Sequence, residues 1–249
     1  LPAQQYLDPA FAGTLRVSNI SFTYPGEDYP IIQNFSLTLK RGQKAALIGP
    51  SGAGKSTILQ LILGDLKPSQ GTVTLDNFNV LELQKERSKL FSVLNQEPFL
   101  FNTTIYENLK MANPDASADQ MMQILEKVQL ADFVNSLPKK LDTEVAEAGA
   151  RFSGGQKERL ALARVLLQDT PIVLLDEPTV GLDPLTEQKL LNLVFDVLKN
   201  KTVVWVTHHL QGVKYMNEVL FFKDGKITMQ GNPHDLFKHN EHFHQLYLM

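Results

Sequence analysis

The residues with the clearest chemistry form one short stretch, GPSGAGKST. Its members are Gly49, Pro50, Ser51, Gly52, Ala53, Gly54, Lys55, Ser56 and Thr57. Glycines allow backbone conformations in which successive N–H groups turn inward around an anion, and the helix predicted after them adds its positive end. Lys55 would place a cation against the β and γ phosphates, and Ser56 is positioned to coordinate Mg²⁺. The stretch predicts a phosphate-binding loop; the alternative is a chance glycine-rich turn before a helix.

A second group of polar residues follows apolar runs that predict strands. Asp176 and Glu177 come directly after PIVLL, and His208 follows KTVVWVT. Gln96 lies just beyond LFSVL, where its amide would reach a metal shell or a water. Neighbouring strand ends form the crevice in which α/β proteins hold ligands. Because side chains alternate along a strand, we expect Asp176 to face a metal ion and Glu177 an attacking water.

Two further places carry both a functional and a plain structural interpretation. Tyr24 ends the run LRVSNISFTY, where an aromatic ring either stacks on a base or covers the core. Ser153, Gly154 and Gly155 precede a helical pattern, where they either bind phosphate or cap the helix. A lone histidine such as His208 is likewise more often structural than catalytic.

The elements that must position these residues follow from the hydrophobic pattern. LRVSNISFTY and IIQNFSLTLK alternate and predict antiparallel strands, whereas AALI and PIVLL are continuously apolar and predict strands buried in a parallel sheet. Helical periodicity, broken at Asn113 and Pro114, predicts a helical insertion over about residues 97–168. VLFFKDGKITMQG predicts a hairpin followed by C-terminal helices. The predicted class is α/β with a mostly parallel sheet.

Composition narrows the function classes. The 249 residues are 43% apolar and 20% charged, enough for one substantial core with a smaller subdomain. A net charge of −3 argues against nucleic acid as a partner, and the absence of cysteine excludes disulfides and thiolate chemistry. No apolar run approaches the roughly 18 residues that cross a bilayer, so we expect a soluble fragment. Residues 1–13 predict a linker.

Taken in chain order, these motifs resemble the nucleotide-binding domain of ABC transporters over residues 14–249. GPSGAGKST matches the Walker A motif, FSGGQ the signature and IVLLDE the Walker B strand with its catalytic glutamate. The single-residue matches are Gln96 for the Q-loop, Asp183 for the D-loop, His208 for the switch histidine and Tyr24 for the A-loop aromatic residue. The resemblance implies a P-loop NTPase (RecA-like) core, an N-terminal antiparallel β subdomain and a helical signature subdomain.

The resemblance also implies an activity, which is hydrolysis of ATP with Mg²⁺. Ser56, Gln96 and Asp176 would bind the metal ion. Tyr24 would stack on adenine. The implied catalytic residues are Glu177, His208, Lys55 and Gln96. Among them Glu177 would polarise the water and His208 would hold the γ-phosphate.

The implied partner is a second nucleotide-binding domain, identical or different, arranged head to tail. In such a pair Ser153, Gly154, Gly155 and Gln156 would act on the partner's ATP. Asp183 would communicate across the interface. One copy would therefore hold only half of each active site.

Finer features resemble exporters in which this domain is joined to a transmembrane domain at the cytoplasmic face of the membrane. NQEPFLFNTTIYENL and TEVAEAG are similar to the Q-loop surroundings and X-loop of exporter-type half-transporters, with Glu147 near the membrane domain. EPTVGLDPLTE and the C-terminal tail are similar to CydC-type subunits, which export cysteine and glutathione for cytochrome bd assembly. Two departures are Phe152 for the usual leucine and Ala146 for a glycine.

Three other functions stay open on sequence alone. An importer ATPase would be a separate subunit without a covalent membrane domain. A non-transport ABC protein would usually have paired domains or long coiled coils. A P-loop kinase or GTPase would have no use for FSGGQ or His208.

Overall fold

The computed structural model describes residues 12–50, 54–95, 97–149, 152, 155–177 and 181–248. Its strands are β1 (Leu15–Phe22), β2 (Ile32–Leu39), β3 (Lys44–Ile48), β4 (Gln70–Leu75), β5 (Phe78–Asn79), β6 (Phe91–Leu94), β7 (Ile172–Asp176), β8 (Thr202–Thr207), β9 (Glu218–Lys223) and β10 (Lys226–Gly231). Its helices are α1 (Lys55–Leu63), α2 (Arg87–Leu90), α3 (Ile105–Ala112), α4 (Ala118–Lys127), α5 (Ala131–Ser136), α6 (Val145–Gly149), α7 (Gln156–Gln168), α8 (Pro184–Val197), α9 (Pro233–His239) and α10 (Glu241–Leu248). Within these ranges no helix is both long and apolar enough to cross a membrane.

The larger sheet has six strands in the order β10-β9-β3-β8-β7-β6. Every pairing from β9 to β6 is parallel, and β10 joins β9 as an antiparallel hairpin edge. All residues of β3 and β8 are buried, as expected for strands covered on both faces. The register pairs Ile48 with Thr207 and Asp176 with Val206, which brings the carboxyl ends of β3, β7 and β8 to one edge.

The smaller sheet has four strands in the order β2-β1-β4-β5, and all its pairings are antiparallel. Its strands alternate buried and exposed positions because only one face packs on the core. Apolar side chains of this face form one core with α1 and one face of the larger sheet. The two-residue period divides β3 between cores: Leu47 joins this one, whereas Ala46 joins the other.

The second core lies between the larger sheet and helices α3 to α8. Four of these helices, α3 to α6, lie between β6 and α7, where the sequence predicts a helical insertion. The chain leaves α3 at Asn113, and α4 begins after a capping box in which Ser117 and Gln120 satisfy each other's backbone N–H groups. The predicted α/β class, with its antiparallel subdomain and helical part, is confirmed.

Candidate functional site

The phosphate loop begins where β3 ends. A Cβ atom on Gly49 would lie 2.2 Å from the carbonyl oxygen of Phe222, so no larger residue fits there without moving β9. The loop ends at Gly54, whose φ of 96° is left-handed, and α1 starts at the next residue. The first-turn N–H groups of a helix have no intrahelical acceptor, which leaves those of α1 available for an anion.

Lys55 is buried at the mouth of this loop, with 5% of its surface exposed. Its ammonium group donates to the carbonyl oxygens of Gly49 and, at 3.3 Å, Thr207, and lies 3.7 Å from Glu177 Oε1. Burial lowers the pKa of Lys55, and the nearby carboxylates offset part of that shift. The site therefore holds a partly desolvated cation that an anionic ligand would stabilise.

Ser56 and Asp176 face each other across the crevice. The Ser56 hydroxyl lies 3.4 Å from each carboxylate oxygen of Asp176. Burial raises the pKa of Asp176, the charge of Glu177 raises it further, and Ser56 and Lys55 act in the opposite direction. Magnesium prefers oxygen donors of this kind, and a divalent cation would relieve the repulsion between the two carboxylates, so these residues fit the metal.

Glu177 is the first residue after β7. Its Oε1 lies 2.5 Å from His208 Nδ1, and its backbone N–H donates to Val206. The φ of Glu177 is 45°, a conformation that costs a residue with a side chain about 1–3 kcal/mol and that is concentrated at functional sites. Lys55, Ser56, Asp176, Glu177 and His208 together are called the strand-end cluster below.

Tyr24 lies two residues beyond the end of β1, and its side chain reaches α1. The phenolic oxygen lies 2.8 Å from Thr57 Oγ1, and the ring meets Phe22 edge to face at 4.8 Å. This contact joins the base-stacking candidate to the helix that starts at the phosphate loop. The sequence singled out both residues but gave no sign that they meet.

Of the signature residues, Gly155 and Gln156 are described, and they lie at the start of α7. Gly155 precedes α7 with a φ of 85°, and a Cβ atom there would lie 3.5 Å from Thr186 at the start of α8. Gly155 and Gln156 line a groove of about 530 Å³ whose other walls are Pro98, Phe99, Leu100, Val145, Phe152, Lys157, Glu158 and Leu182. We call this groove, together with Asp183, the signature face.

Asp183 caps α8 at this face. Its carboxylate accepts hydrogen bonds from the Thr186 backbone at 3.0 Å and from the Thr186 hydroxyl at 2.5 Å. The hydroxyl bond and then the backbone bond lower the pKa of Asp183. Glu147, on α6, is exposed and lies 4.0 Å from the Lys139 ammonium. These contacts of Asp183 and Glu147 do not involve the strand-end cluster.

The remaining predicted site residues divide into two groups. Gly49, Pro50 and Gly54 are in place at the two ends of the phosphate loop. The following lie outside the described residues: Ser51, Gly52, Ala53, Gln96, Ser153 and Gly154. Phe152 packs against Phe133 with ring centroids 5.5 Å apart, so this departure from leucine keeps an apolar anchor. Ala146 is exposed on α6.

One contact at the signature face was missed on sequence. Arg164, within the apolar run LALARVLL of α7, donates to the Phe99 carbonyl oxygen at 2.9 Å. Its guanidinium lies 5.2 Å from the centre of the Phe101 ring, and burial lowers its pKa. The sequence signal was a basic residue inside an otherwise apolar helical run, because such a residue needs a partner.

Comparison with known proteins agrees with this geometry. A family model described as ABC transporter matches residues 32–180. The chain is 47% identical over 234 residues to the glutathione/L-cysteine transport system ATP-binding/permease protein CydD of Bacillus subtilis, covering 94% of this chain and 40% of that protein. It is 38% identical to the mitochondrial iron-sulfur clusters transporter ATM1 of Kluyveromyces lactis, covering 90% of this chain and 32% of that protein.

A solved structure of a bacterial Atm1-family ABC exporter with ATP bound matches with a TM-score of 0.84 and 31% identity, covering 95% of this chain and 42% of that one. The chain thus spans less than half the length of these relatives. The sequence order of the motifs, the two-sheet α/β fold and the match over residues 32–180 agree. The chain belongs to the ABC transporter family, as one of its ATP-binding, ATP-hydrolysing domains.

Proposed function

We propose that this domain drives an exporter of cysteine or glutathione. The observation that carries the proposal is the 47% identity, over 94% of this chain, to a glutathione/L-cysteine transport protein. The sequence resemblance pointed to the CydC half of such an exporter, whereas the relative found is a CydD. The proposal therefore concerns the transported substrate rather than either half.

ATP binding is assigned to the phosphate loop and Tyr24. The triphosphate would accept hydrogen bonds from the loop and from the first turn of α1, and Lys55 would neutralise its β and γ phosphates. The lowered pKa and burial of Lys55 support this, since the ammonium gains most from an anion that replaces lost water. Adenine would stack on Tyr24, with Gly49, Pro50, Ser51, Gly52, Ala53, Gly54 and Thr57 completing the loop.

Magnesium is assigned to Ser56 and Asp176, with Gln96 as the third protein ligand. The facing hydroxyl and carboxylate oxygens support this choice. When bound, the ion would supply positive charge that neutralises the charge developing on the phosphates. The Asp176 carboxylate would supply the charge that holds it.

Hydrolysis is assigned to Glu177 and His208. In this step the oxygen of water bonds to the γ-phosphorus, the bond from that phosphorus to the bridging oxygen of ADP breaks, and Glu177 takes the water's proton. His208 would fix the Glu177 carboxylate and contact the γ-phosphate. The 2.5 Å approach between His208 Nδ1 and Glu177 Oε1 supports the first of these roles.

The assembly we infer is a head-to-tail pair of such domains, each joined to a transmembrane domain at the cytoplasmic face of the membrane. In it, Ser153, Gly154, Gly155 and Gln156 would contact the partner's ATP, and Asp183 would lie at the interface. Glu147 would face the membrane domain. The lining of the signature groove includes no residue of the strand-end cluster, which supports a composite site.

A transport assay tests the proposed substrate. It uses the whole protein, assembled with its partner in inside-out vesicles. We expect ATP-dependent accumulation of labelled glutathione or cysteine, and none in vesicles that carry Glu177→Gln. A labelled peptide or sugar of similar size serves as the control substrate. Vesicles that hydrolyse ATP but accumulate neither thiol would overturn the substrate proposal and leave the ATPase assignment intact.

A further inference from the structure

The contact between Tyr24 and Thr57 ties the place proposed for the base to the helix proposed for the phosphates. Tyr24 follows β1 of the antiparallel sheet, and Thr57 is the third residue of α1, 33 positions further along the chain. The phenolic oxygen and Thr57 Oγ1 are 2.8 Å apart. Tyr24 itself is partly buried.

Thr57 is a firm anchor for this contact. Only 6% of its surface is exposed, and a β-branched side chain in a helix has few rotamers to choose from. Helix α1 is in turn fixed by Ile58, Leu61 and Ile62, which are fully buried in the core shared with the antiparallel sheet. The position of the Thr57 hydroxyl is therefore set by the core.

Two constraints are needed to place a tyrosine ring, and the structure provides both. The hydroxyl lies on the axis about which the ring rotates, so its bond to Thr57 fixes where the tip of the ring stands but only weakly fixes the ring plane. The contact with Phe22 supplies the second constraint, since the two rings meet at 83°. A ring held at its tip and by a neighbouring ring is pre-organised for stacking.

We propose that Thr57 is a positioning residue for the adenine base, acting through the Tyr24 hydroxyl. The inference rests on the proposed binding of ATP at this loop. Because Thr57 belongs to the helix that starts at the phosphate loop, the bond sets the spacing between the stacked base and the phosphates. The ligand class that gains from this spacing is a nucleoside triphosphate, whereas an inorganic triphosphate does not.

The experiment compares ATP with inorganic tripolyphosphate as competitors of labelled ATP. Thr57→Val and Tyr24→Phe each remove the same hydrogen bond, and each is expected to weaken ATP binding about three- to ten-fold, the effect of one such bond. Tyr24→Phe should leave the inhibition constant of tripolyphosphate unchanged, and Thr57→Val should weaken the binding of ATP more than that of tripolyphosphate. Thr57→Ser keeps the hydroxyl and should retain ATP binding. Thr143→Val is the matched control, at a buried threonine whose hydroxyl has no hydrogen-bond partner among the described residues.

The double variant gives an independent measurement. If both changes act through one bond, Thr57→Val should add little to Tyr24→Phe, so their effects on ATP binding should be far from additive. Tyr24→Phe also keeps the test available if Thr57→Val does not fold.

Three results would overturn the inference: equal loss of ATP and tripolyphosphate binding in Thr57→Val, additive effects of the two changes, or tighter ATP binding in either variant. The last would mean that the bond must break when the nucleotide binds. Failure of the proposed ATP binding at this loop would look different, because the unmodified protein would then bind no ATP.

Discussion

The polar groups of the strand-end cluster and the Asp183 carboxylate of the signature face have hydrogen-bond partners at very different distances along the sequence. In the strand-end cluster the contacts join distant parts of the chain: Ser56 meets Asp176 across 120 positions, and Glu177 meets His208 across 31. At the signature face, the Asp183 carboxylate is satisfied by Thr186, only three residues away. The strand-end cluster is therefore held by long-range contacts, whereas the Asp183 carboxylate of the signature face is satisfied within one helix start.

The electrostatic consequences differ as well. Burial shifts the pKa of both Lys55 and Asp176 toward their neutral forms, and the charge of Glu177 adds to the shift of Asp176, as expected for a cluster whose charges are not fully compensated. Hydrogen bonds shift the pKa of Asp183 toward its charged form. Binding of a phosphate and a cation would stabilise the charges of the strand-end cluster. The Asp183 carboxylate of the signature face is already stabilised by its own hydrogen bonds. Four substitutions test this contrast.

Glu177→Gln should have the largest effect. Removal of a general base typically lowers kcat by about 10²–10⁴-fold, and the amide keeps the shape of the side chain, so ATP should still bind. Release of phosphate and equilibrium binding of ATP are the two measurements. Glu126→Gln, at an exposed position of α4, is the control and should hydrolyse ATP normally. Normal turnover by Glu177→Gln would remove the catalytic assignment.

Lys55→Met should weaken ATP binding about 10- to 100-fold, because a charge-assisted hydrogen bond to phosphate is lost. The chain offers a matched control in Lys44, which is also 5% exposed and lies at the opposite end of β3. The Lys44 ammonium donates to the carbonyl oxygens of Gly42, Lys199 and Lys201.

Lys44→Met should lower stability but leave ATP affinity within about two-fold of the unmodified protein, since its partners are all backbone groups far from the loop. Equal loss of ATP affinity in the two lysine variants would show that any buried lysine matters in this way. The special charge balance of the strand-end cluster would then lose its support.

The sequence predicted the strand-end cluster better than its contacts. Continuous apolar runs placed Asp176, Glu177 and His208 after strands, and parallel pairing then required those strand ends to meet at one edge. The two-residue period also led us to expect that Asp176 and Glu177 diverge, but Glu177 lies beyond β7 with a φ of 45°, where that period does not apply. What the sequence lacked was the register, such as Ile48 opposite Thr207, which decides that Lys55 reaches the Thr207 carbonyl.

Contacts between the two sheets were beyond sequence reasoning for another reason. The bond from Tyr24 to Thr57 depends on how the antiparallel sheet sits on α1, and that follows from the packing of many apolar side chains in a shared core. Arg164 is similar, because a basic residue in an apolar run signals that a partner exists but not that the partner is the Phe99 carbonyl. The type of the Arg164 side chain predicted that it needs a partner. Which group is that partner depends on the packing of the folded chain.

Arg164→Met should have a moderate effect that separates stability from binding. The variant loses a hydrogen bond from a charged donor and the contact with the Phe101 ring, which together should lower the free energy of unfolding by about 1–2 kcal/mol. Urea unfolding measures this loss. ATP affinity should not change, because Arg164 supports the signature face rather than the strand-end cluster. A ten-fold loss of ATP affinity would show that the two regions are coupled within one chain.

Substitution of Asp183 should have the smallest effect. It tests most directly whether the Asp183 carboxylate is held by Thr186. Its pKa is lowered by the Thr186 hydroxyl and backbone N–H, so the folded state favours the carboxylate more than the unfolded state does. The resulting stability is fully present above the unfolded pKa and is lost as the pH falls through the lower folded pKa. Asp183→Ala should therefore be less stable than the unmodified protein at pH 7, and the difference in free energy of unfolding should shrink steadily in acid. Asp183→Asn keeps an N-cap acceptor without the charge, so its own difference from Asp183→Ala should vary little with pH. If the difference between Asp183 and alanine stayed constant from pH 7 down to about 3, the carboxylate would not be held by Thr186 in solution, and the signature face would need its partner even to cap α8.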